Sequence, residues 1–189
     1  HFGTRMLNNL GEWKTLTDMK NSSSDISCVS GQMPRIVGLA YASKLFRENK
    51  ELKDLQNFSV NGDEVIFGTI GDASTSEGHF WEAINACGVL QLPVVMSIWD
   101  DGYGISVPSE YHTTRNDLSK ALSGFQRSSK SDKGYELFTV YAWDYIELLK
   151  TYSKAADLAR KNHVPCIIHV KEVTQPQGHT TSGSHERYK

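Results

Sequence analysis

The sequence of 189 residues lacks the features that mark several large classes of protein. Its net charge is −2, with acidic and basic residues interspersed, which argues against nucleic acid and anionic membrane surfaces as partners. No apolar run approaches the roughly 20 residues needed to cross a bilayer, and no signal segment opens the chain. We therefore expect a protein that binds neither nucleic acid nor a membrane.

Cysteine is also scarce, because Cys28, Cys87 and Cys166 are too few and too scattered for a disulfide framework or a cysteine metal site. A reducing compartment suits such a set, and we expect a cytoplasmic protein. A hydrophobic content of 39% supports one sizeable core, which predicts one compact domain over residues 1–189. Since the chain begins at His1 without an initiator Met, we expect a fragment of a longer protein.

Segments of strand length alternate with segments of helical period along the chain. Strands are predicted over 63–70, 92–100, 135–143 and 164–170, and helices over 31–52, 76–90 and 144–162. The first helix should pack on the sheet through Ile36, Leu39, Ala40, Ala42 and Leu45, and Asp144 is the expected N-cap of the last helix. Residues 101–114 and 174–189 are typical of polar loops. This order predicts an α/β fold with a doubly wound, mostly parallel sheet.

Acidic residues follow two of the predicted strands where each strand ends. Asp72 comes after "EVIFGTIG", and Asp101 opens the turn "DGYG" after the next strand. The carboxyl ends of parallel strands meet at one edge of a sheet, so both carboxylates and the carbonyls around Gly102 and Tyr103 should converge on one hard cation. Free N–H groups at the start of the helix after Asp72 favour an anion. This pattern predicts a site for a metal and a diphosphate.

Each turn taken alone has a plainer interpretation, since Asp72 suits a turn and Asp100 and Asp101 suit the polar end of a strand. The combination of both turns with the intervening helix argues against that interpretation. Two alternatives stay open, a Mg²⁺-dependent enzyme acting on nucleotide phosphates and a non-catalytic scaffold half with a degenerate site. The sequence lacks G-x-x-x-x-G-K-[ST] and G-x-G-x-x-G, which counts against the common nucleotide-binding forms.

The segment "GDASTSEGHFWEAINACGVLQLPVVMSIWDDGYGIS" resembles the thiamine diphosphate motif of one enzyme family. The family is the alpha subunit of the decarboxylating first component of 2-oxo acid dehydrogenase complexes. The resemblance extends upstream through "SCVSGQMPRIVGLAYASK" and downstream to "GHTTSGSHERY", whose tail is most similar to the branched-chain 2-oxoisovalerate members, including fused alpha–beta chains. It implies a thiamine-diphosphate-binding fold and oxidative decarboxylation of a 2-oxo acid, branched-chain in preference to pyruvate or acetoin.

The resemblance also assigns roles to individual residues. Asp72, Asp101 and the backbone carbonyl of Tyr103 would be ligands of Mg²⁺, and His179 would be the catalytic residue beside the reacting carbon. Val29 and Ile105 would form apolar walls for thiamine diphosphate. The other implied cofactor-binding residues are Ser27, Gly71, Ala73, Ser74, Asn85 and Gly104, with Asn85 steadying the motif.

Three departures from the family pattern concern charge. The usual second metal ligand is Asn, but this sequence has Asp101. Trp99 and Gln175 stand where relatives have Arg, and the upstream Tyr-Arg segment that clamps the diphosphate is not recognisable. The Glu that activates the cofactor belongs to the beta partner in this family, so the chain should hold half an active site.

The implied partners are a beta subunit or beta half, the lipoyl acyltransferase component that accepts the acyl group, and a small 2-oxo acid, in an oligomeric enzyme. Three further histidines have plainer expected roles. His169 lies in the strand-like segment "CIIHVK", where a structural role is expected, and His79 and His112 are expected to be exposed.

Overall fold

The computed structural model describes residues 3–24, 26–175 and 186 of the chain. Its helices are α1 Gln32–Glu48, α2 Gly78–Leu90, α3 Leu118–Leu122 and α4 Tyr145–Asn162. Its strands are β1 Ile66–Gly71, β2 Val94–Trp99, β3 Tyr103–Gly104, β4 Val107–Pro108, β5 Glu136–Tyr141 and β6 Cys166–Lys171. The predicted alternation is confirmed, while α3 and the short strands β3 and β4 were not predicted. Within the described ranges, no helix combines the length and apolar character that spanning a bilayer requires.

Four strands form one sheet in the order β1-β2-β6-β5, and every neighbouring pair in it is parallel. Strands β3 and β4 form a small antiparallel pair at the end of β2. Helices α1 and α2 pack against one face of the sheet, and α4 packs against the other. The predicted α/β fold with a doubly wound parallel sheet is therefore confirmed.

Strand β2 lies inside the sheet and is buried on both faces. Val94, Met96 and Ile98 join the core on the α1 and α2 side, where Phe80 of α2 is fully buried. Val95, which points the other way, joins the core beneath α4. Burial on both faces explains why this strand is a nearly continuous apolar run rather than an alternating one.

Helix α1 packs through a face that differs from the predicted one. Its buried residues are Met33, Ile36, Ala40 and Ser43. Leu39, Ala42 and Leu45 are exposed, so their prediction was wrong, because the spacing of three and four residues from Ile36 and Ala40 continues at Ser43. The Ser43 hydroxyl is accommodated because it donates to the Glu64 carbonyl oxygen at 2.9 Å.

The turn before β1 makes that strand start later than predicted. The Glu64 carboxylate accepts hydrogen bonds from the Ser59 hydroxyl at 2.6 Å and from the Val60 N–H at 2.7 Å. These bonds hold residues 59–64 in a turn, and the strand begins at Ile66. At the amino end of α4, the Asp144 side chain accepts from the Glu147 N–H at 2.9 Å, which confirms the predicted N-cap.

Gly62 ties this turn to two helices. Its carbonyl oxygen lies 3.0 Å from His163 Nε2, just beyond α4, and accepts from Arg47 Nη2 of α1 at 3.0 Å. Its φ is +67°, and a Cβ at this position would lie 2.4 Å from the Ser43 carbonyl oxygen. Both the backbone conformation and the available space therefore require glycine.

Changing Gly62→Ala should lower the free energy of unfolding by about 1–3 kcal/mol, because the left-handed conformation and the backbone clash both penalise a Cβ. Urea unfolding measures the change. Gly38→Ala in α1 is the matched control, since a Cβ there meets nothing within 4 Å. That change should stabilise the chain by about 0.5–1 kcal/mol, as Ala replaces Gly inside a helix. Unchanged stability of Gly62→Ala would contradict this account of the turn.

Candidate functional site

The two predicted acidic turns lie side by side at one edge of the sheet. Gly71, the last residue of β1, is opposite Trp99, the last residue of β2, in the parallel register. The Asp72 N–H donates to the Trp99 carbonyl oxygen at 3.1 Å, which extends the pairing by one residue. Asp72 and the turn that contains Asp101 therefore emerge from neighbouring strands at the same edge.

A cavity of about 760 Å³ opens at this edge. It is bordered by most of the residues that the sequence assigned to the site: Ser27, Val29, Gly71, Asp72, Ala73, Ser74, Asp101, Tyr103, Gly104 and Ile105. Four separate segments thus meet around one space, namely the stretch before α1, the turn after β1, the turn after β2 and residues 173–175 after β6. This is the position in which parallel α/β sheets bind ligands.

Two assigned residues are not part of this group. Asn85 is exposed on α2 and does not border the cavity, so the structure does not bring it to the other assigned residues. His179 lies outside the described residues, and its catalytic role stays a prediction.

The backbone after Asp72 differs from the expected helix start. Residues Ala73–Ser76 form a short 3₁₀ turn, Glu77 is extended, and α2 begins only at Gly78. The Asp72 carbonyl oxygen accepts from the N–H of Thr75 at 3.1 Å and from its hydroxyl at 2.6 Å. The N–H groups closest to the cavity therefore belong to the 3₁₀ turn rather than to α2.

Asp72 is a buried carboxyl group whose burial is only partly offset by nearby backbone N–H groups. Only 5% of its side chain is exposed, and Oδ2 has no hydrogen-bond partner among the residues that the structure describes. Burial, together with the negative charges of Asp100 and Asp101, raises its pKa to about 7. A cation beside Oδ2 would favour the ionised form, so this unpartnered oxygen fits a metal ligand.

The turn after β2 is held by its own carboxylates. Oδ1 of Asp100 accepts from the Gly102 N–H at 2.9 Å, and Oδ1 of Asp101 accepts from the Tyr103 N–H at 3.1 Å. Gly102 has a φ of +80°, which suits glycine in a tight turn. These bonds place the Asp101 carboxylate and the Tyr103 backbone at the cavity that Asp72 borders.

The donor set fits Mg²⁺ by its chemistry. It consists of oxygen atoms from Asp72, Asp101 and the Tyr103 carbonyl, and Mg²⁺ prefers oxygen while keeping water and phosphate among its ligands. In residues 3–24, 26–175 and 186, no group of three or more His, Cys, Asp or Glu side chains is arranged to hold a metal. Two carboxylates and one carbonyl would therefore depend on water or a phosphate to complete an octahedron.

The turns after β1 and β2 also pack closely against each other. A Cβ at Gly104 would lie 2.8 Å from the Cβ of Ala73, so only glycine allows this approach. The small residues of the motif thus keep the two turns close enough to share one ligand.

Apolar side chains project at the mouth of the cavity. Val29 and Ile105 are 57% and 53% exposed, although both border the cavity. Ile105 has a φ of +60°, which is strained for a β-branched residue. Exposed apolar walls and local backbone strain are both common at ligand sites, which suits the role assigned to these residues.

No cation borders the described part of the cavity. Trp99 and Gln175, the residues that replace Arg of the family pattern, both line it, and no Lys or Arg is among the described lining residues. The Trp99 Nε1–H donates to the Ser97 hydroxyl at 2.8 Å and so points along the strand. The described wall of the site therefore combines two carboxylates with neutral polar and apolar side chains.

His112 is a site residue that the sequence did not reveal. Its side chain is only 13% exposed, so the expectation of an exposed position was wrong. The β3–β4 hairpin and the Ser109 N–H bond to the Gly102 carbonyl oxygen at 2.9 Å fold this loop back over the turn after β1. His112 Nε2 consequently lies 3.9 Å from Asp72 Oδ2.

Other lining residues flank those that were predicted. They are Ile26, Cys28, Ser30, Gln32, Thr69 and Ile70. Cys28, Ser30 and Gln32 lie in "SCVSGQ", the segment from which Ser27 and Val29 were chosen, and Ile26 directly precedes it, so this segment was their signal in the sequence. Gln32 closes this side, since its side-chain amide donates to the Thr69 carbonyl oxygen at 3.1 Å.

The raised pKa of Asp72 has a consequence for stability without ligand. Between its ordinary value of 3.8 and about 7, the folded chain holds a proton that the unfolded chain has released. Stability therefore falls as the pH rises through this window, and the penalty is complete above pH 7. Asp72→Asn should raise the free energy of unfolding by about 1–3 kcal/mol at pH 8 and much less at pH 4. Urea unfolding at both pH values measures this, and an equal effect at both would contradict it.

The comparisons with known proteins agree with the geometry of the site. The chain is 28% identical over 142 residues to 2-oxoisovalerate dehydrogenase subunit alpha of Bacillus subtilis, covering 75% of this chain and 36% of that protein. It is 27% identical over 154 residues to pyruvate dehydrogenase E1 component subunit alpha of Rickettsia bellii, covering 82% and 40%. The chain thus matches less than half the length of these relatives.

A solved structure of transketolase from Campylobacter jejuni is similar in fold, with a TM-score of 0.50 at 19% identity. The match covers 81% of this chain and 22% of that chain. The model of the family "Dehydrogenase E1 component" matches residues 14–189. Since this match takes in nearly the whole chain, the protein belongs to the dehydrogenase E1 component family.

Proposed function

We propose that this chain binds thiamine diphosphate through Mg²⁺ and supplies that half of the site in a 2-oxo acid dehydrogenase. The observation that carries the proposal is the buried Oδ2 of Asp72, which has no hydrogen-bond partner among the described residues and belongs to the same cavity wall as Asp101 at the end of two parallel strands. An oxygen in this state fits a divalent cation, and a cation there fits a diphosphate. Family membership supports thiamine diphosphate as the diphosphate.

Each part of the cavity wall has a role in this proposal. Asp72, Asp101 and the carbonyl of Tyr103 would hold Mg²⁺. The N–H groups of Ala73 and Ser74 lie at the same turn and would face the diphosphate. The other cavity residues assigned to the cofactor are Ser27, Val29, Gly71, Gly104 and Ile105, of which Val29 and Ile105 would exclude water from its rings.

Thiamine diphosphate supplies the carbanion chemistry that decarboxylates a 2-oxo acid when it is bound. The chain's own contribution is to hold the diphosphate end and orient it. His179 would hold or move a proton beside the reacting carbon. A beta subunit or beta half would complete the site, and a lipoyl acyltransferase component would accept the acyl group.

For the substrate, we propose a branched-chain 2-oxo acid, since the tail resembles the 2-oxoisovalerate members. The names of the relatives include both 2-oxoisovalerate and pyruvate dehydrogenases, so pyruvate is the competing substrate. Assays with 2-oxoisovalerate and pyruvate, run on the chain together with its beta partner, distinguish the two. A higher kcat/KM for pyruvate would contradict the branched-chain assignment.

Ligand specificity tests the proposed function against its rivals. Thiamine diphosphate with Mg²⁺ at saturation should raise the melting temperature by about 5 °C or more, because binding to the folded state alone stabilises it. ATP with Mg²⁺ should change it by less than about 1 °C. A larger shift with ATP would favour a nucleotide-phosphate enzyme, and no shift with either would favour a non-catalytic scaffold half.

Charge at the metal site gives a second test. A diphosphate carries roughly −3 and Mg²⁺ carries +2, so two ionised carboxylates leave about −3 before other groups are counted. Because no Lys or Arg lines the described part of the cavity, Asp101→Asn should bind thiamine diphosphate as well as the parent or better. It keeps an oxygen ligand and removes one negative charge.

Asp72→Asn is the matched change at the other carboxylate, and it should weaken binding about tenfold or more, because it removes the buried anionic ligand. Calorimetric titration of thiamine diphosphate at fixed Mg²⁺ measures both variants. A large loss of affinity in Asp101→Asn would show that the metal needs its full charge.

A further inference from the structure

A chain of side-chain hydrogen bonds runs from the turn that contains Asp101 through the sheet to the exposed Thr139. It centres on His169, a fully buried residue of β6. His169 Nε2 lies 2.7 Å from Oδ2 of Asp100, and its Nδ1 lies 2.7 Å from the hydroxyl of Ser119 in α3. The Ser119 hydroxyl in turn lies 2.8 Å from that of Thr139 in β5. His169, a polar side chain in a mostly apolar strand, thus links the turn to α3 and β5.

Asp100 is fixed from several directions. Its N–H donates to the Val170 carbonyl oxygen at 2.9 Å, and its own carbonyl oxygen accepts from the Val173 N–H at 2.9 Å. Its Oδ1 accepts from the Gly102 N–H at 2.9 Å, which forms the turn. The contact from His169 is made to the second carboxylate oxygen, so both oxygens of Asp100 are engaged.

The direction of donation follows from the groups present. A carboxylate only accepts hydrogen bonds, so His169 Nε2–H donates to Asp100. Nδ1 then accepts from the Ser119 hydroxyl, and the Ser119 oxygen can accept from Thr139. This arrangement gives every group in the chain a partner, as buried polar groups require.

The contact between His169 and Asp100 stabilises a carboxylate that lies close to two other acidic residues. Asp100 stands next to Asp101, and its charge contributes to the raised pKa of Asp72. Burial opposes ionisation of Asp100, but its contact with His169 and the hydrogen bond from the Gly102 N–H together outweigh burial and lower the pKa of Asp100. Without His169, Oδ2 of this partly buried carboxylate would lose its donor beside two other carboxyl groups, while Oδ1 would keep the Gly102 N–H.

We propose that His169 is a positioning residue that holds Asp100, and through it the turn from Asp100 to Tyr103, in the geometry that presents Asp101 to a metal. The geometric part of this inference does not depend on a ligand, whereas its consequence for metal binding rests on the proposed function. Residues that orient metal ligands from behind commonly affect metal affinity about 10–100-fold.

Helix α3 belongs to the same support. Asp117, the N-cap of α3, accepts from the Lys120 N–H at 3.3 Å and pairs with Lys171 Nζ at 2.9 Å. Lys171 follows His169 by two residues in β6, so both side chains point to the same side of the strand. Two polar links therefore hold α3 against the sheet behind the turn from Asp100 to Tyr103.

Hydrogen exchange in the ligand-free full chain tests the positioning role directly. Amide exchange of Gly102 and Tyr103 should be about tenfold faster in His169→Leu than in the parent, because Oδ2 of Asp100 loses the donor that holds the carboxylate in place. In His169→Gln the side-chain amide can still donate to Asp100, so exchange should stay within about threefold of the parent. Ser119→Ala removes a more distant link and should give an intermediate acceleration, which keeps the test valid if His169→Leu does not fold.

His163→Gln is the matched control. His163 is also buried, and its Nε2 contacts the Gly62 carbonyl oxygen near the amino end of β6, far from the turn after β2. It should leave the exchange of Gly102 and Tyr103 unchanged. Acceleration spread equally over β1 and β2, or an equal effect of His163→Gln, would show a general loss of stability and would overturn the proposal.

Calorimetry with thiamine diphosphate at fixed Mg²⁺ tests the consequence. His169→Leu should weaken binding about tenfold, and His169→Gln should stay within about threefold of the parent. If the parent chain does not bind while the exchange pattern holds, the proposed function fails and the positioning role stands. If the parent binds and His169→Leu binds equally well, the positioning role is overturned.

Discussion

The arrangement of this protein depends on the parallel register between β1 and β2. Gly71 lies opposite Trp99, so the residues that follow these strands leave the sheet at one edge. This register brings Asp72 close to Asp100 and Asp101 in a partly buried site, where like charges are poorly screened. The raised pKa of Asp72 is the physical result, and a cation bound beside its carboxylate would lower that pKa again.

The three carboxyl groups are stabilised in different ways. Asp100 is paired with His169 and shapes the turn, and Asp101 accepts from the Tyr103 N–H. Asp72 keeps one oxygen without a hydrogen bond within the described part of the chain. Asp72 and Asp101 are the carboxylates that we propose as metal ligands, while Asp100 shapes the turn that carries Asp101.

Much of this could be predicted from the sequence, because apolar runs of strand length and amphipathic segments of helical length follow each other in a simple order. The cavity residues could be predicted because strand ends meet at one edge, and the small residues around Asp72 resemble a known motif. Asn85, which the same motif assigned to the site, is exposed on α2 and does not border the cavity, so its role stays a prediction.

Other features depend on contacts between distant segments. The buried state of His112 results from the β3–β4 hairpin, and α3 is held by Ser119 and Asp117 to side chains about fifty positions away. The late start of β1 results from the Glu64 side chain, which binds the preceding turn. No local periodicity encodes such pairings, so they required the structure.

The central claim is that a divalent metal at Asp72 and Asp101 binds a diphosphate. A crystal structure of the chain with thiamine diphosphate and Mn²⁺ in place of Mg²⁺ would test it most directly, because Mn²⁺ gives an anomalous signal. The account predicts one metal peak in contact with the carboxylates of Asp72 and Asp101, the carbonyl oxygen of Tyr103 and two phosphate oxygens. A diphosphate bound elsewhere, or a metal peak that does not touch Asp72, would contradict it.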